Sequence, residues 1–278
     1  MIEIPFPAYP QARPLFQDLE HHLFLTALFE GTITGQVYVD QPGQPRAGLV
    51  AYHHKLFLAG EPALPEFNQA LASFFQEKVV QPRKAAGWDA FVVFCEQKDG
   101  WQALLAEICS PYKVIQAPRS YYEAVALLPD APAGLPEGFS LHPVSAELLA
   151  GPIRGLDAIR EEMCSERTSV EDFLAKSFGL VLVYQGELAN EVAGFCMSEY
   201  NTGDRCEIGI ATFEPHQRGG LATRMTHALV AQAHSQGITR VGWHCWSRNL
   251  ASCATARKAG LELVREEIAQ VVLLEEQG

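Results

Sequence analysis

Glu207-Ile208-Gly209-Ile210-Ala211-Thr212, followed closely by His216-Gln217-Arg218-Gly219-Gly220-Leu221-Ala222, is the stretch on which the reading of this chain turns. The first six residues have the apolar and β-branched content of a strand. After the glycine pair, Leu221, Met225, Ala228, Leu229 and Ala233 fall on one face of a 3.6-residue period, so a helix starts at the loop. The first N–H groups of a helix lack internal partners and lie at the positive end of its dipole, and a loop free of bulky side chains lets an anion reach them. Gly219 and Gly220 supply that freedom. Two other phosphate loops are excluded by spelling, because the chain has neither G-x-x-x-x-G-K-[ST] nor G-x-G-x-x-G here.

A second strand is expected at 239–244, and Asn249-Leu250-Ala251-Ser252 then opens a helix that ends at Lys258-Ala259-Gly260-Leu261. Gln217, Gly220 and Ala222 match [QR]-x-x-G-x-[GA], and the later segment matches N-x-x-[AS] … K-x-G-[FL]. Together these resemble the cofactor signature of the GNAT superfamily of N-acyltransferases. The likeness reaches upstream through Cys196-Met197-Ser198-Glu199-Tyr200 and covers the C-terminal half, in a spelling similar to a bacterial branch with an additional N-terminal domain. It implies a GNAT fold over 139–278, a mixed and mostly antiparallel sheet flanked by helices. It also implies acetyl-CoA as acyl donor, with the pyrophosphate on the backbone of Arg218, Gly219, Gly220, Leu221, Ala222 and Thr223. The pantetheine arm would lie along Ile210 and Thr212, with Asn249 and Ser252 beside the cofactor.

The 278 residues suit two compact units, and a hydrophobic content of 48% is ample for their cores. No apolar run reaches the roughly 18 to 20 residues of a membrane span, and the start lacks the pattern of a signal peptide, so a cytoplasmic protein is expected. Seven cysteines without paired spacing fit reduced thiols. His244 and Cys245, with Cys253, make a poor metal set, because adjacent strand residues point to opposite faces; no metal is expected. A net charge of −12 argues against nucleic acid and is compatible with a cationic amine as acceptor.

In the N-terminal half, Leu15, Leu19, Leu23 and Ala27 predict an amphipathic helix over 15–30, on which His21 and His22 read as exposed or capping residues. Strands are expected at 32–39, 48–58, 91–95 and 121–128, with helices at 67–79, stopping before Pro82, and around 101–108. This smaller α+β domain, residues 1–130, has no chemistry of its own; it selects the acceptor, forms a homodimer, or covers one side of the catalytic half. It also reads, more weakly, as a decayed copy of the same fold that lacks the glycine loop. Residues 131–138, rich in proline and glycine, are the expected linker.

Acyl transfer to an amine needs a base, because an ammonium with a pKa near ~10 has no lone pair to offer. Glu207 is the preferred base, on a strand where an unpaired carboxylate would be costly; its structural alternative is an ion pair with Arg205 or Arg240. With Asn201-Thr202-Gly203-Asp204 as a hairpin turn, regular pairing sets Ser198 opposite Glu207 and Glu199 on the other face, opposite Cys206. Ser198 is thereby a proton relay, and Glu199 a contact for the acceptor's positive charge. A backbone N–H near Ile210 serves the developing oxyanion. One departure is plain: where many GNAT enzymes carry a tyrosine seven residues after the asparagine, this chain has Ala256, which leaves Ser198, Ser252, Cys253 or water to protonate the leaving thiolate. The expected activity is transfer of acetyl from acetyl-CoA to a primary amine of a small molecule or peptide, in a ternary complex. The competing reading is a non-catalytic acyl-CoA-binding sensor or assembly module.

Overall fold

A computed structural model describes residues 1–52, 55–96, 100–125, 128 and 134–276. The chain forms two compact units, one from Met1–Arg119 with Glu267–Gly278 and the other from Ser120–Glu266.

In the first unit β1 (Ile2–Ile4), α1 (Tyr9–Ala12) and α2 (Leu23–Phe29) precede β2 (Gln36–Val39), β3 (Ala47–Tyr52) and β4 (Lys55–Gly60). α3 (Pro65–Phe74) runs through a π-helical turn, Phe75–Val80, into α4 (Gln81–Ala85), and β5 (Ala90–Cys95), α5 (Trp101–Ile108) and β6 (Tyr112–Ala124) follow. Strands β1 to β4 pair antiparallel in sequence, whereas β4 and β5 are parallel, as the intervening helical crossover requires. Phe67, Leu71 and Phe75 of the α3 run pack on Leu49, Leu58, Phe91 and Trp101, all buried. Full burial of each such side chain contributes about 1.5–3 kcal/mol.

Several local expectations for this half are corrected. The helix expected over 15–30 is broken: Arg13–Leu19 is a 3₁₀ helix, and α2 is buried on all sides rather than amphipathic. His22 lies in the break and is 6% exposed, not a surface residue. The strand expected at 48–58 is two strands, β3 and β4, which pair with each other. Pro82 does not end the helix: the π-helical turn Phe75–Val80 stands just before it, and the helical run continues to Ala85.

The second unit takes in the end of β6 and continues through β7 (Phe139–Pro143), α6 (Ala146–Leu149), α7 (Leu156–Met163) and α8 (Val170–Lys176). Then come β8 (Gly179–Gln185), β9 (Asn190–Thr202), β10 (Arg205–Thr212), α9 (Leu221–Ser235), β11 (Arg240–Trp246), α10 (Leu250–Ala259) and β12 (Glu262–Glu276). Its strands lie in the order β6-β11-β10-β9-β8-β7. β10 and β11 pair parallel, and β7 to β10 pair antiparallel in a hairpin run. α9 and α10 cover one face, with Leu221, Met225, Leu229, Cys253 and Ala256 against Cys206, Ile208, Val241 and Trp243. α7 and α8 cover the other through Ile159, Met163 and Phe173, against Phe195 and Met197.

The division expected at 131–138 is not where the units part. Residues 131–133 lie outside the described residues, and the segment that contains them joins β6 to β7, both of which have residues in the second unit. Nor does a separate domain simply precede the GNAT half. From Glu267 onward β12 belongs to the first unit, where Gln270–Leu273 pair antiparallel with β5. Each unit therefore receives its last strand from the other half of the chain. Proline and glycine mark a turn; only the pairing of β6 and β12 decides which unit the flanking strands join.

Candidate active site

The parallel pairing of β10 with β11 runs from Arg205↔Arg240 to Glu207↔Gly242 and stops. Beyond it, β10 keeps its antiparallel partner β9 up to Thr212↔Gly194, and β11 continues to Trp246. The two strands thus part at Glu207, at the foot of the resulting gap. At the other end of β10, Arg218 and Gly220 both have left-handed backbone, φ 68° and 70°, and Gly220 stands at the N-cap of α9 without a side-chain cap bond. The glycine is required there, since L side chains rarely adopt this conformation. His216 to Gly220 form the loop, and from Gln217 to Gly220 it is exposed. Helix α9 has 15 residues, so its dipole and free N–H groups favour an anion at that loop.

The remaining residues expected to hold a cofactor divide by what they do. Ile210 and Thr212 lie on β10 beyond its last bond to β11, half-buried. The Thr212 hydroxyl is buried without a hydrogen-bond partner among the described residues, while its carbonyl accepts from Gln217 Nε2 at 2.9 Å. Gln217 thus braces the loop. Leu221 is buried in the core below it, and Ala222 and Thr223 fill the half-buried first turn of α9. Asn249 caps α10, its Oδ1 accepting from the Ser252 N–H at 3.1 Å, and Ser252 Oγ accepts from Trp243 Nε1 at 3.1 Å. Arg224, not singled out in the sequence, folds back on the loop, donating to the carbonyls of Gly219 and Gly220 at 3.4 and 3.2 Å. A cation in the first turn of a helix opposes the dipole, so its position makes sense beside a bound anion. The loop, the helix end, the gap and the orphaned hydroxyl fit a phosphorylated carrier with a pantetheine-like arm.

The sheet face away from α9 and α10 carries the polar groups. Cys206 and Ile208, Val241 and Trp243, and Tyr122 and Ala124 all belong to the α9/α10 core. By strand alternation, Glu207 and Gly209, Gly242 and His244, and Tyr121 and Glu123 face the opposite way. There Glu207 Oε1 lies 2.9 Å from His244 Nδ1, with side chains 9% and 3% exposed. Tyr121 stacks on the His244 ring, centroids 4.5 Å apart, and donates to Glu123 Oε1 at 2.9 Å. Burial first, then the negative charges of Glu123 and Glu207, raises the Tyr121 pKa and keeps it a phenol. Arg240 is held by Glu123 at 2.9 Å, while the partner found for Glu207 is His244. The sequence raised His244 only as part of a poor metal set; its pairing with Glu207 leaves no local signal because the two lie 37 residues apart on different strands.

Two site expectations are corrected by the register. Glu207 pairs with Tyr200, and Ile208 with Ser198, so Ser198 is not opposite Glu207 and Glu199 is not opposite Cys206. The strands run to Thr202↔Arg205, which leaves Gly203 and Asp204 as the turn instead of four residues, and a bulge then inserts Glu199. One extra residue turns a side chain toward the other face. A Cβ added at Gly209 would lie 2.7 Å from Glu199 Oε1 and 3.2 Å from Glu162 Oε1 of α7. The bulged glutamate and Glu207 therefore share one face, and Gly209 makes room for two carboxylates. Ser198 is fully buried, and its Oγ accepts from the Phe178 N–H at 3.1 Å, which ties β9 to the start of β8 and takes the hydroxyl away from a relay.

The thiols are buried apart from Cys164, and none is in a disulfide. Burial pushes Cys206 up to about 12 and holds Cys196 well above an ordinary thiol, so neither is a thiolate at neutral pH. Cys253 lies in the core beneath α10, 3.5 Å from Cys245 Sγ, and Ala256 is fully buried beside it. No helix among the described residues is long and apolar enough to cross a membrane.

Comparison with known proteins bears on the family. Residues 13–268 match the model of the GNAT acetyltransferase family. The chain is 24% identical over 265 residues to an uncharacterized N-acetyltransferase, YdfB, of Bacillus subtilis, covering 95% of both chains. Among solved structures it is similar to a GCN5-related N-acetyltransferase-like protein from Streptococcus suis, with TM-score 0.70, 22% identity and coverage of 96% and 98% of the two chains. A tandem GNAT protein from the clavulanic acid biosynthesis pathway aligns at TM-score 0.58 and 11% identity, covering 100% and 99%. Since the family match takes in both units and almost the whole sequence, the chain belongs to the GNAT acetyltransferase family.

Proposed function

We propose that this protein is an N-acetyltransferase that moves the acetyl group of acetyl-CoA to a primary amine of a small molecule or peptide by direct attack in a ternary complex. The observation that carries the reading is Glu207 at the fork where β10 leaves β11, paired with His244. Acetyl-CoA would supply the acyl thioester, held by its pyrophosphate on the backbone of residues 218–223 and by its pantetheine arm along Ile210 and Thr212, with Asn249 and Ser252 nearby. Glu207 accepts a proton from the amine, directly or through water. The His244 Nδ1–H holds the carboxylate in one orientation, and Tyr121 stacked on the ring fixes the imidazole. Glu199 and Glu162, converging above Gly209, attract the acceptor's ammonium. With Ser198 and Cys253 buried in structural contacts, water is the acid for the leaving thiolate.

Thioester loss from acetyl-CoA, followed by free thiol in the presence of an amine panel, tests the function. Turnover is expected with primary amines and is greatest for those bearing a second positive charge. Tight acetyl-CoA binding without turnover on any amine would instead establish a non-catalytic acyl-CoA-binding module. For Glu199→Gln the expected result is a KM for dicationic acceptors raised by about 10- to 100-fold, the worth of a charge-assisted hydrogen bond, with kcat little changed. An unaltered KM would place charge recognition elsewhere.

A further inference from the structure

His21 and His22 occupy the break between the 3₁₀ helix and α2 of the first unit, and both rings reach a residue some 246 positions away in the chain. Their Nε2 atoms lie 2.8 and 3.0 Å from the same oxygen, Oε2 of Glu267, and the rings are 4.4 Å apart. His21 Nδ1 is 3.2 Å from the Asp18 carbonyl oxygen, an acceptor only, so Nδ1 carries a proton and a neutral ring presents a lone pair at Nε2. Nε2 can then face the carboxylate only with a second proton, as an imidazolium, or with a metal ion between them. A carbonyl bond at one ring nitrogen with the other aimed at a carboxylate is the arrangement that orients metal-bound histidines. The second carboxylate oxygen, Oε1, is buried with no hydrogen-bond partner among the described residues, and the Glu267 side chain is only 6% exposed. Phe57 and Phe94 pack on the His22 ring at 5.1 and 4.4 Å and hold it in place.

We propose that His21, His22 and Glu267 form a binding site for one divalent transition metal of the zinc class, which ties the returning strand β12 to the N-terminal segment of its unit. Two imidazoles and a carboxylate suit zinc and its first-row neighbours, not magnesium or calcium, which take oxygen ligands. Donors around a tetrahedral zinc stand about 3.3 Å apart, so these atoms need only open by a few tenths of an ångström from 2.8 and 3.0 Å. The role follows from topology: this unit is discontinuous in sequence, and a metal shared by its first and last segments closes it. A metal here would depart from the expectation of none, and of His21 and His22 as exposed or capping residues.

The test uses the full chain, stripped with a chelator and then titrated with Zn²⁺ in competition with a chromophoric chelator, with elemental analysis after removal of excess metal. One equivalent per chain is expected, with a raised Tm, and Mg²⁺ in excess should not displace it. Co²⁺ in place of zinc should give the d–d bands of a low-coordinate site. His21→Gln, His22→Ala and Glu267→Gln should each weaken zinc by about 100-fold or more, while Cys164→Ser, which removes the exposed thiol, should leave it unchanged. Should Glu267→Gln fail to fold, the partly exposed His21→Gln and the Co²⁺ spectrum of the unaltered chain still decide. Absence of stoichiometric binding, an octahedral Co²⁺ spectrum, undiminished affinity in the folded variants, or loss in Cys164→Ser overturns the proposal.

Discussion

Glu207→Gln is expected to lower turnover by about 10²- to 10⁴-fold, the usual range for a lost general base, and to leave acetyl-CoA affinity within about twofold. The amide keeps the size of the side chain and can still bond His244 through its oxygen, so β10 and its parting from β11 are preserved. What it loses is the capacity to accept a proton. The deficit should widen toward lower pH, where a smaller share of the amine is already deprotonated. A partial substitution at His244, such as His244→Gln, should shift the pH profile of turnover more than the acceptor's KM, because it acts through Glu207. Full activity of Glu207→Gln across the pH range would remove this residue from the mechanism and promote Glu199, which the bulge has placed on the same face.

Gly220→Val is expected to abolish measurable acetyl-CoA binding, a loss of at least about 100-fold, in a protein that still folds. Two effects add. At φ 70° the residue is in the left-handed region, which a β-branched side chain resists, and relief of that strain redirects the loop that leads into α9. The new Cβ would also stand 2.9 Å from Arg224 Nη1, pushing the guanidinium off the carbonyls of Gly219 and Gly220. Calorimetry on the folded variant checks this. Unchanged affinity would show that the anion does not sit on this loop.

The loop and its neighbours were legible in the sequence because their information is local. Glycines at 219 and 220, the 3.6-residue period from Leu221 and the Asn249 cap are each set by residues within a turn or two, and β10 and α5 have the expected bounds or nearly so. The same locality misled the reading of the acceptor face. Period-2 alternation predicts which side chains share a face only while pairing stays regular, and the bulge at Glu199 broke it without any mark in composition.

The first unit shows the same limit at larger scale. Its three antiparallel strands, a helix, a parallel strand and a helix follow one another as in the second unit. No glycine loop opens α3, whose start is Leu64 and Pro65. By itself the sequence determined the family, the strand–loop–helix that favours an anion, and Glu207 as a carboxylate on a central strand. Tertiary structure decided that His244 holds that carboxylate, that Glu199 turns onto its face, that Ser198 is spent on a backbone bond, and that Glu267 meets His21 and His22. The physical reason is common to all four: each contact joins residues 10 to 246 positions apart, set by strand register and by which sheet β12 joins, and neither leaves a signal in the spacing of neighbouring residues.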